Sequence, residues 1–127
     1  MQKSEQVDAA AAFAEPDVGS PPTRIEVAIL KLLESDNYLS FVELDRIEGF
    51  SGGHFCLEPR PNVVIWCNMT EAGIDAVNTL KRERKIRMAP TSLLTYLADG
   101  RALNLPIATS IRTYKKLHWL PTTICRP

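Results

Sequence analysis

The chain has 127 residues, of which 45% are hydrophobic and 24% are charged, so one ordinary globular domain is the expected class. This composition excludes collagen-like, wholly disordered and disulfide-dense proteins. The charges sum to zero but are unevenly distributed. Residues 59–127 carry eleven basic and four acidic side chains, whereas residues 24–58 carry three basic and seven acidic ones. The basic C-terminal half predicts an anionic binding partner.

Targeting and redox features predict a cytoplasmic protein without a membrane span. The strand-like apolar run at residues 63–67 is far shorter than the roughly 20 residues that a membrane helix requires. Residues 9–14 are rich in alanine but follow acidic residues, where a secretory signal has basic ones. Cys56, Cys67 and Cys125 form no CxxC pair, which favours a reducing compartment over a disulfide framework.

Residues 1–22 differ in composition from the rest of the chain. They contain four acidic residues and one lysine, are rich in alanine and hold one aromatic residue, Phe13. Such a segment buries too little apolar surface to order itself, so we predict a disordered acidic arm. Alternatively, the alanines favour a short helix within residues 8–14 that packs on the body. Residues 23–127 are predicted to form a single domain.

Two helices with capping signals are predicted at the start of this domain. Thr23 and Glu26 have the spacing of a capping box, and an apolar stripe with helical spacing follows them. The stripe consists of Ile25, Ala28, Ile29, Leu32 and Leu33. Ser40 and Glu43 repeat the capping box, and Gly49 is predicted to close a short second helix.

The middle of the chain is predicted to contain a loop, a strand and a third helix. Glycines and prolines indicate a loop over residues 50–61, and the β-branched and aromatic residues 63–67 indicate one buried strand. Asn68 or Thr70 is predicted to cap the third helix. Its inward-facing residues are Ile74, Val77 and Leu80.

The C-terminal part is predicted to be a β-meander. Alternating apolar residues indicate a strand around residues 86–88, and a second strand is predicted over residues 93–98. Asp99-Gly100 is a strong signal for a type I′ hairpin turn, because this dipeptide tolerates positive φ. Arg101 would then lie at the exposed tip of the hairpin.

The order of two capped helices, a strand, a third helix and a hairpin resembles the winged-helix variant of the helix-turn-helix fold. The resemblance spans about residues 23–105 and is carried by residues 25–33, 40–49 and 69–86, as a match of pattern without a diagnostic motif. It implies an α+β fold of three helices with a small antiparallel sheet. It also implies DNA binding, with the third helix in the major groove and the hairpin on the DNA backbone.

Residues on the exposed face of the third helix are the candidates for reading bases. Asn78 and Arg82 can bind adenine and guanine edges, and the other cations can neutralise phosphates. The predicted nucleic-acid-binding residues are Asn78, Arg82, Lys85, Arg87, Arg101, Lys115 and Lys116. Alternatively, acids at the start of a helix and bases at its end are what the helix dipole favours on any solvated helix. If the hairpin is purely structural, the remaining basic candidates are Lys81, Arg84, Lys115 and Lys116.

Residues 112–119 interleave basic and aromatic side chains, a pattern that suits phosphate contact combined with base stacking. The alternative, which we favour, is that Tyr114, Leu117 and Trp119 pack on the core while the lysines stay solvated.

We expect no catalytic residue, no metal site and no cofactor. His54, Cys56, Cys67 and Cys125 match no common zinc spacing, and the phosphate-binding and nucleophile motifs of enzymes are missing from the sequence. The sequence therefore predicts a small non-enzymatic protein that binds DNA or RNA, as a regulator or an accessory subunit of a nucleoprotein complex. The alternative is a protein-binding adaptor or inhibitor from a mobile genetic element, whose basic half contacts an acidic protein surface.

Overall fold

The computed structural model describes residues 21–109 and 112–127, so most of the predicted acidic arm, residues 1–20, lies outside the described residues. The described part is a mixed α+β fold, with four helices where the sequence predicted three. The helices are α1 (Arg24–Ser35), α2 (Phe41–Leu44), α3 (Glu71–Arg82) and α4 (Leu93–Asp99). The strands are β1 (Tyr38–Ser40), β2 (Ser51–Leu57), β3 (Val63–Val64), β4 (Trp66–Met69), β5 (Arg87–Pro90), β6 (His118–Trp119) and β7 (Thr122–Cys125).

The largest sheet has three antiparallel strands in the order β1-β7-β5. Ile124 of the central strand β7 pairs with Leu39 of β1 on one side and with Met88 of β5 on the other. Two smaller pairs complete the strand arrangement: β2 is antiparallel to β4, and β3 is parallel to β6. The C-terminal strand β7 therefore joins β1, which follows α1, to β5, which follows α3.

The predicted N-caps of the first three helices are confirmed. Thr23 Oγ1 accepts a hydrogen bond from the Glu26 amide at 3.2 Å, and Ser40 forms a complete capping box with Glu43. Thr70, rather than Asn68, caps α3. Helix α2 is shorter than predicted, because it ends at Leu44 and not near Gly49.

The predicted loop over residues 50–61 was wrong, because β2 occupies most of it. Gly53 explains the difference: a Cβ there would lie 2.3 Å from the Met69 carbonyl oxygen, so the glycine permits close approach of β2 to β4. The predicted single strand at residues 63–67 is also divided. Ile65 separates β3 from β4, and these two strands belong to different sheets.

The predicted strand at residues 93–98 and the hairpin at Asp99-Gly100 were wrong as well. This segment forms α4, and Gly100 follows the helix in the left-handed conformation with φ of 93°. An Asp-Gly pair supplies the positive φ of a helix end as readily as that of a hairpin turn. Local turn chemistry therefore did not distinguish the two structures.

The core contains five aromatic side chains contributed by distant segments of the chain. Phe41, Phe50, Trp66, Tyr96 and Trp119 are all at most 1% exposed. The rings of Trp66 and Tyr96 are 5.3 Å apart, and those of Tyr96 and Trp119 are 5.0 Å apart. The Tyr96 hydroxyl donates to the Thr122 carbonyl oxygen at 2.6 Å and accepts from the Phe41 amide at 3.0 Å. Tyr96 thus fixes α4 to both α2 and β7.

None of the helices in the described ranges combines the length and apolar character needed to cross a membrane.

Candidate functional site

Helix α3 is held against the body by its cap and by its buried face. Thr70 Oγ1 accepts from the Gly73 amide at 2.9 Å, and the same hydroxyl donates to the Gly49 carbonyl oxygen. A Cβ at position 73 would lie 2.6 Å from the Phe50 carbonyl oxygen, so only glycine allows this approach. Val77 and Leu80 are fully buried. The opposite face of α3 is therefore fixed toward solvent.

The solvent face of α3 carries the side chains that the helical wheel predicts. Glu71, Asp75, Asn78 and Arg82 are exposed. Arg82 Nη2 lies 3.4 Å from Thr79 Oγ1, which is within hydrogen-bonding distance along the helix. The acids lie in the first half of the helix and the bases in its last turn, so phosphate would be repelled at the start and attracted at the end.

The C-terminal end of α3 is a Schellman motif. The Lys85 amide donates to the Leu80 carbonyl oxygen at 2.9 Å, and the Arg84 amide donates to the Lys81 carbonyl oxygen at 3.0 Å. This motif requires a left-handed residue at the position after the cap, where glycine is usual. Here Arg84 occupies it with φ of 61°.

Five cations surround this helix end, and we name residues 81–87 the basic turn. Its cations are Lys81, Arg82, Arg84, Lys85 and Arg87. All five are exposed, and the segment has a single acid, Glu83. Lys85 Nζ lies 3.3 Å from Glu83 Oε1, so one of the positive charges is partly neutralised. Three of the predicted site residues, Arg82, Lys85 and Arg87, thus belong to one short segment.

The sequence predicted Arg101 at an exposed hairpin tip. It instead follows the end of α4 and contacts the body. Its Nη1 donates to Asp45 Oδ2 at 2.7 Å, and its guanidinium lies 5.5 Å from the centre of the Trp66 ring. The Asp45 side chain is only 7% exposed and also accepts from Trp66 Nε1 at 3.1 Å. Burial raises the pKa of Asp45, while the hydrogen bond from Trp66 and the charge of Arg101 act in the opposite direction. Arg101 therefore binds the body through Asp45 and Trp66, while 52% of its side chain remains exposed.

Lys115 and Lys116 are exposed, but the aromatic residues near them are already engaged within the chain. The rings of Tyr114 and His118 stack with centroids 4.0 Å apart, and the Arg112 guanidinium lies 5.0 Å from the Tyr114 ring centre. Trp119 is fully buried, as the packing interpretation expected. Leu117 differs from that expectation, since 45% of it is exposed.

Cys56 lies in β2 and is exposed, whereas Cys67 lies in β4 and is partly buried. Burial raises the pKa of the Cys67 thiol to about 12, with a further contribution from neighbouring Cys56. At neutral pH Cys67 is therefore a protonated, weakly nucleophilic thiol. Within residues 21–109 and 112–127, no group of three His, Cys, Asp or Glu side chains is placed to hold a metal ion.

Two features of the basic turn were not predicted from the sequence: the left-handed conformation of Arg84 and the cavity that Lys81 and Arg87 share. The left-handed conformation of Arg84 follows from the position of Leu80, the last buried residue of the helical stripe, because the Schellman position lies four residues beyond it. The convergence of Lys81 and Arg87 around one cavity had no signal in the sequence, because it depends on how the chain reverses after α3.

Comparison of the chain with protein-family models, with curated proteins and with solved structures found no significant match.

Proposed function

We propose that this protein is a non-enzymatic nucleic-acid-binding protein whose contact surface is centred on the basic turn. The observation that carries the proposal is five exposed cations within seven residues, with only Glu83 to offset them. Phosphate groups of DNA or RNA are the anions that such a cluster suits, and each neutralised phosphate releases counterions. A regulator or an accessory subunit of a nucleoprotein complex fits this kind of surface.

The backbone conformation of Arg84 supports the proposal. A non-glycine residue in the left-handed region costs on the order of 1 kcal/mol relative to glycine. The cation at this position therefore comes at the expense of stability, and its side chain forms no hydrogen bond or ion pair within the described residues to offset that cost. The helix dipole favours a cation at this end of any solvated helix, and an anionic partner would favour it further.

The topology supports a winged-helix-like arrangement, which we propose as the framework of this surface. In chain order, α1, β1, α2, α3, β5 and β7 follow each other as the helices and strands of a winged helix do, and β7 lies between β1 and β5 in an antiparallel sheet. The β2–β4 pair is inserted between α2 and α3. The long connection from β5 to β7 contains α4 in the place of a simple wing.

Within this framework, α3 would present its last turn to the nucleic acid. Asn78 and Arg82 share the exposed face and have the hydrogen-bonding groups for base edges, while Lys85 and Arg87 suit phosphates. Glu71 and Asp75 disfavour close approach of the start of α3. Lys115 and Lys116 are exposed cations that can extend the contact, whereas the charge of Arg101 is partly offset by its ion pair with Asp45.

A salt-series titration with duplex DNA tests the proposal. Affinity should fall steeply with salt concentration, and Arg84→Gln or Arg87→Gln should each weaken binding and reduce the slope of log K against log salt by about 1. Lys31→Gln is the matched control, because it removes one exposed cation of α1, far from the basic turn in sequence. Equal effects of all three changes would overturn the assignment of the surface. A parallel titration with RNA distinguishes the two nucleic acids.

The protein-binding adaptor is a second candidate function, favoured by the outer face of α4. Leu94 and Leu97 are 73% and 55% exposed, and Leu93 is 37% exposed. Adjacent exposed leucines on one helix are typical of protein contacts. No affinity for DNA or RNA at low salt would reject the first function and leave this one, with the basic turn facing an acidic protein.

A further inference from the structure

A cavity of about 270 Å³ opens beside the C-terminal end of α3. Its walls come from Pro59 after β2, from Ile65 between β3 and β4, from residues in and just before β5, and from Leu120 just before β7 and Thr122 at its start. The apolar lining includes Ile65, Ile86, Met88 and Leu120. Ile65, Ile86 and Leu120 are 5%, 3% and 6% exposed, so the apolar wall is part of the packed body.

Two cations complete the lining. Lys81 comes from the last turn of α3, and Arg87 comes from the first position of β5. Both are exposed, and neither forms an ion pair with any residue in the described ranges. The cavity therefore combines an apolar wall with two positive groups that have no ion-pair partner among residues 21–109 and 112–127.

We propose that this cavity binds a small organic carboxylate with an aromatic or aliphatic body. The apolar body would lie against Pro59, Met88 and Pro90, above the nearly buried floor of Ile65, Ile86 and Leu120. The carboxylate would lie between Lys81 and Arg87, where a guanidinium can bind both oxygens. Met88 is partly buried and unbranched, so its side chain can adapt to the shape of the ligand. The volume is just below the usual range of about 300–1,000 Å³ for ligand sites, which limits the ligand to a small acid.

Charge and shape together select this ligand class over the others. A cationic ligand would be repelled by both side chains, and an inorganic anion would leave the apolar wall in water. The cavity also differs from the proposed nucleic-acid surface, although Lys81 and Arg87 belong to both. The proposal does not depend on nucleic-acid binding, because its test contains no nucleic acid.

The test is a titration of the full chain with 4-phenylbutyrate, followed by two-dimensional amide NMR, with 4-phenylbutyramide as the neutral analogue. We expect saturable shifts at the amides of Ile86, Met88 and Leu120, with a dissociation constant of about 1 mM or tighter. The amide analogue should bind at least about fivefold more weakly, because it lacks the charge.

Two variants and one control locate the carboxylate. Arg87→Gln and Lys81→Gln should each weaken 4-phenylbutyrate binding by about fivefold or more, with the melting temperature checked in parallel. Arg84→Gln removes a cation of the same basic turn that does not line the cavity, and it should leave affinity within about twofold. The proposal is wrong if no saturable shift occurs up to about 10 mM, or if the acid and the amide bind equally. It is also wrong if the two variants bind like the control.

Discussion

Helices α3 and α4 end in the same backbone motif, but they differ in the residue at the left-handed position and in the partner of the cation that follows it. At the end of α4, the Arg101 amide donates to the Tyr96 carbonyl oxygen and the Gly100 amide to that of Leu97, which repeats the Schellman pattern of α3. The left-handed position is Gly100 in α4 and Arg84 in α3. The residue that follows is Arg101 in α4 and Lys85 in α3, and about half of each side chain is exposed. Arg101 pairs with the nearly buried carboxylate of Asp45 at 2.7 Å, whereas Lys85 pairs with the more exposed Glu83 at 3.3 Å.

This difference shows why a cation in the sequence is not by itself a binding residue. Arg101 lies at the surface, but its guanidinium pairs with the nearly buried carboxylate of Asp45. The cations of the basic turn surround one half-buried acid, Glu83, and most of their charge faces solvent. The α4 end is therefore a structural anchor, whereas the α3 end keeps charge in a conformation that glycine would adopt with less strain.

The largest expected effect concerns Tyr96, the anchor of α4. Tyr96→Phe removes the hydroxyl that pairs with the Thr122 carbonyl and the Phe41 amide, and both backbone groups then stay buried without this partner. We expect a loss of about 2–4 kcal/mol in the free energy of unfolding, measured by urea denaturation. Tyr114→Phe is the control, because its hydroxyl accepts from an exposed amide, that of Thr109. A similar loss in both variants would contradict the anchoring role.

The second effect compares the residues that follow the two left-handed positions. Arg101→Ala leaves the nearly buried Asp45 carboxylate without its cation, so we expect a loss of about 1–2 kcal/mol with nucleic-acid affinity unchanged. Lys85→Ala should change stability by less than about 0.5 kcal/mol, because its ion pair is exposed, while weakening nucleic-acid binding. Urea denaturation and the salt-series titration measure the two properties. If Arg101→Ala weakens binding without lowering stability, Arg101 belongs to the contact surface.

The features that the sequence predicted correctly are those that depend on neighbouring residues in the chain. Thr23 and Ser40 were predicted as caps, and Thr70 as one of two candidates beside Asn68, because an N-cap depends on residues three positions apart, which local sequence contains. The inward face of α3 was predicted for the same reason, since its spacing follows the helical period. The exposed face of α3 followed directly from it.

The errors arose where a local signal had two structural solutions or where the partner was distant. Asp99-Gly100 suits a hairpin and a helix end equally, and the glycines of β2 suit a loop and a close strand pair equally. The position of Arg101 depends on Asp45, which is 56 residues away in the chain, so no local pattern indicates it. The run of cations at residues 81–87 is visible in the sequence, but the cavity that Lys81 and Arg87 share depends on tertiary packing.

The third prediction concerns substitutions that exchange glycine and arginine at the two left-handed positions, 84 and 100. Arg84→Gly should stabilise the protein by about 0.5–1 kcal/mol, because glycine adopts positive φ without strain. Gly100→Arg should destabilise it by about 1 kcal/mol for the converse reason. A Cβ at Gly100 meets no atom within 4 Å, so this loss measures backbone strain and not a clash. Thermal denaturation measures both variants. If Arg84→Gly also weakens nucleic-acid binding, stability and affinity are opposed at this residue, whereas a destabilised Arg84→Gly would show that the arginine has a structural role.

The smallest effect is a pH dependence that arises from Asp45. Burial raises the pKa of this carboxyl in the folded protein above its ordinary value, and the donors Trp66 and Arg101 oppose the shift only in part. At pH values between the pKa of Asp45 in the unfolded protein and its higher pKa in the folded protein, the folded state binds more protons. The free energy of unfolding therefore falls as pH rises through that window. Below the unfolded pKa the carboxyl is protonated in both states, and this loss of stability is absent. Asp45→Asn cannot titrate, so the stability of the wild type relative to this variant should decrease as pH rises from about 3 to about 7. Urea denaturation at a series of pH values measures this difference. A relative stability that instead increases with pH would show that the ion pair with Arg101 outweighs the burial of Asp45, and the α4 end would then be held mainly by charge.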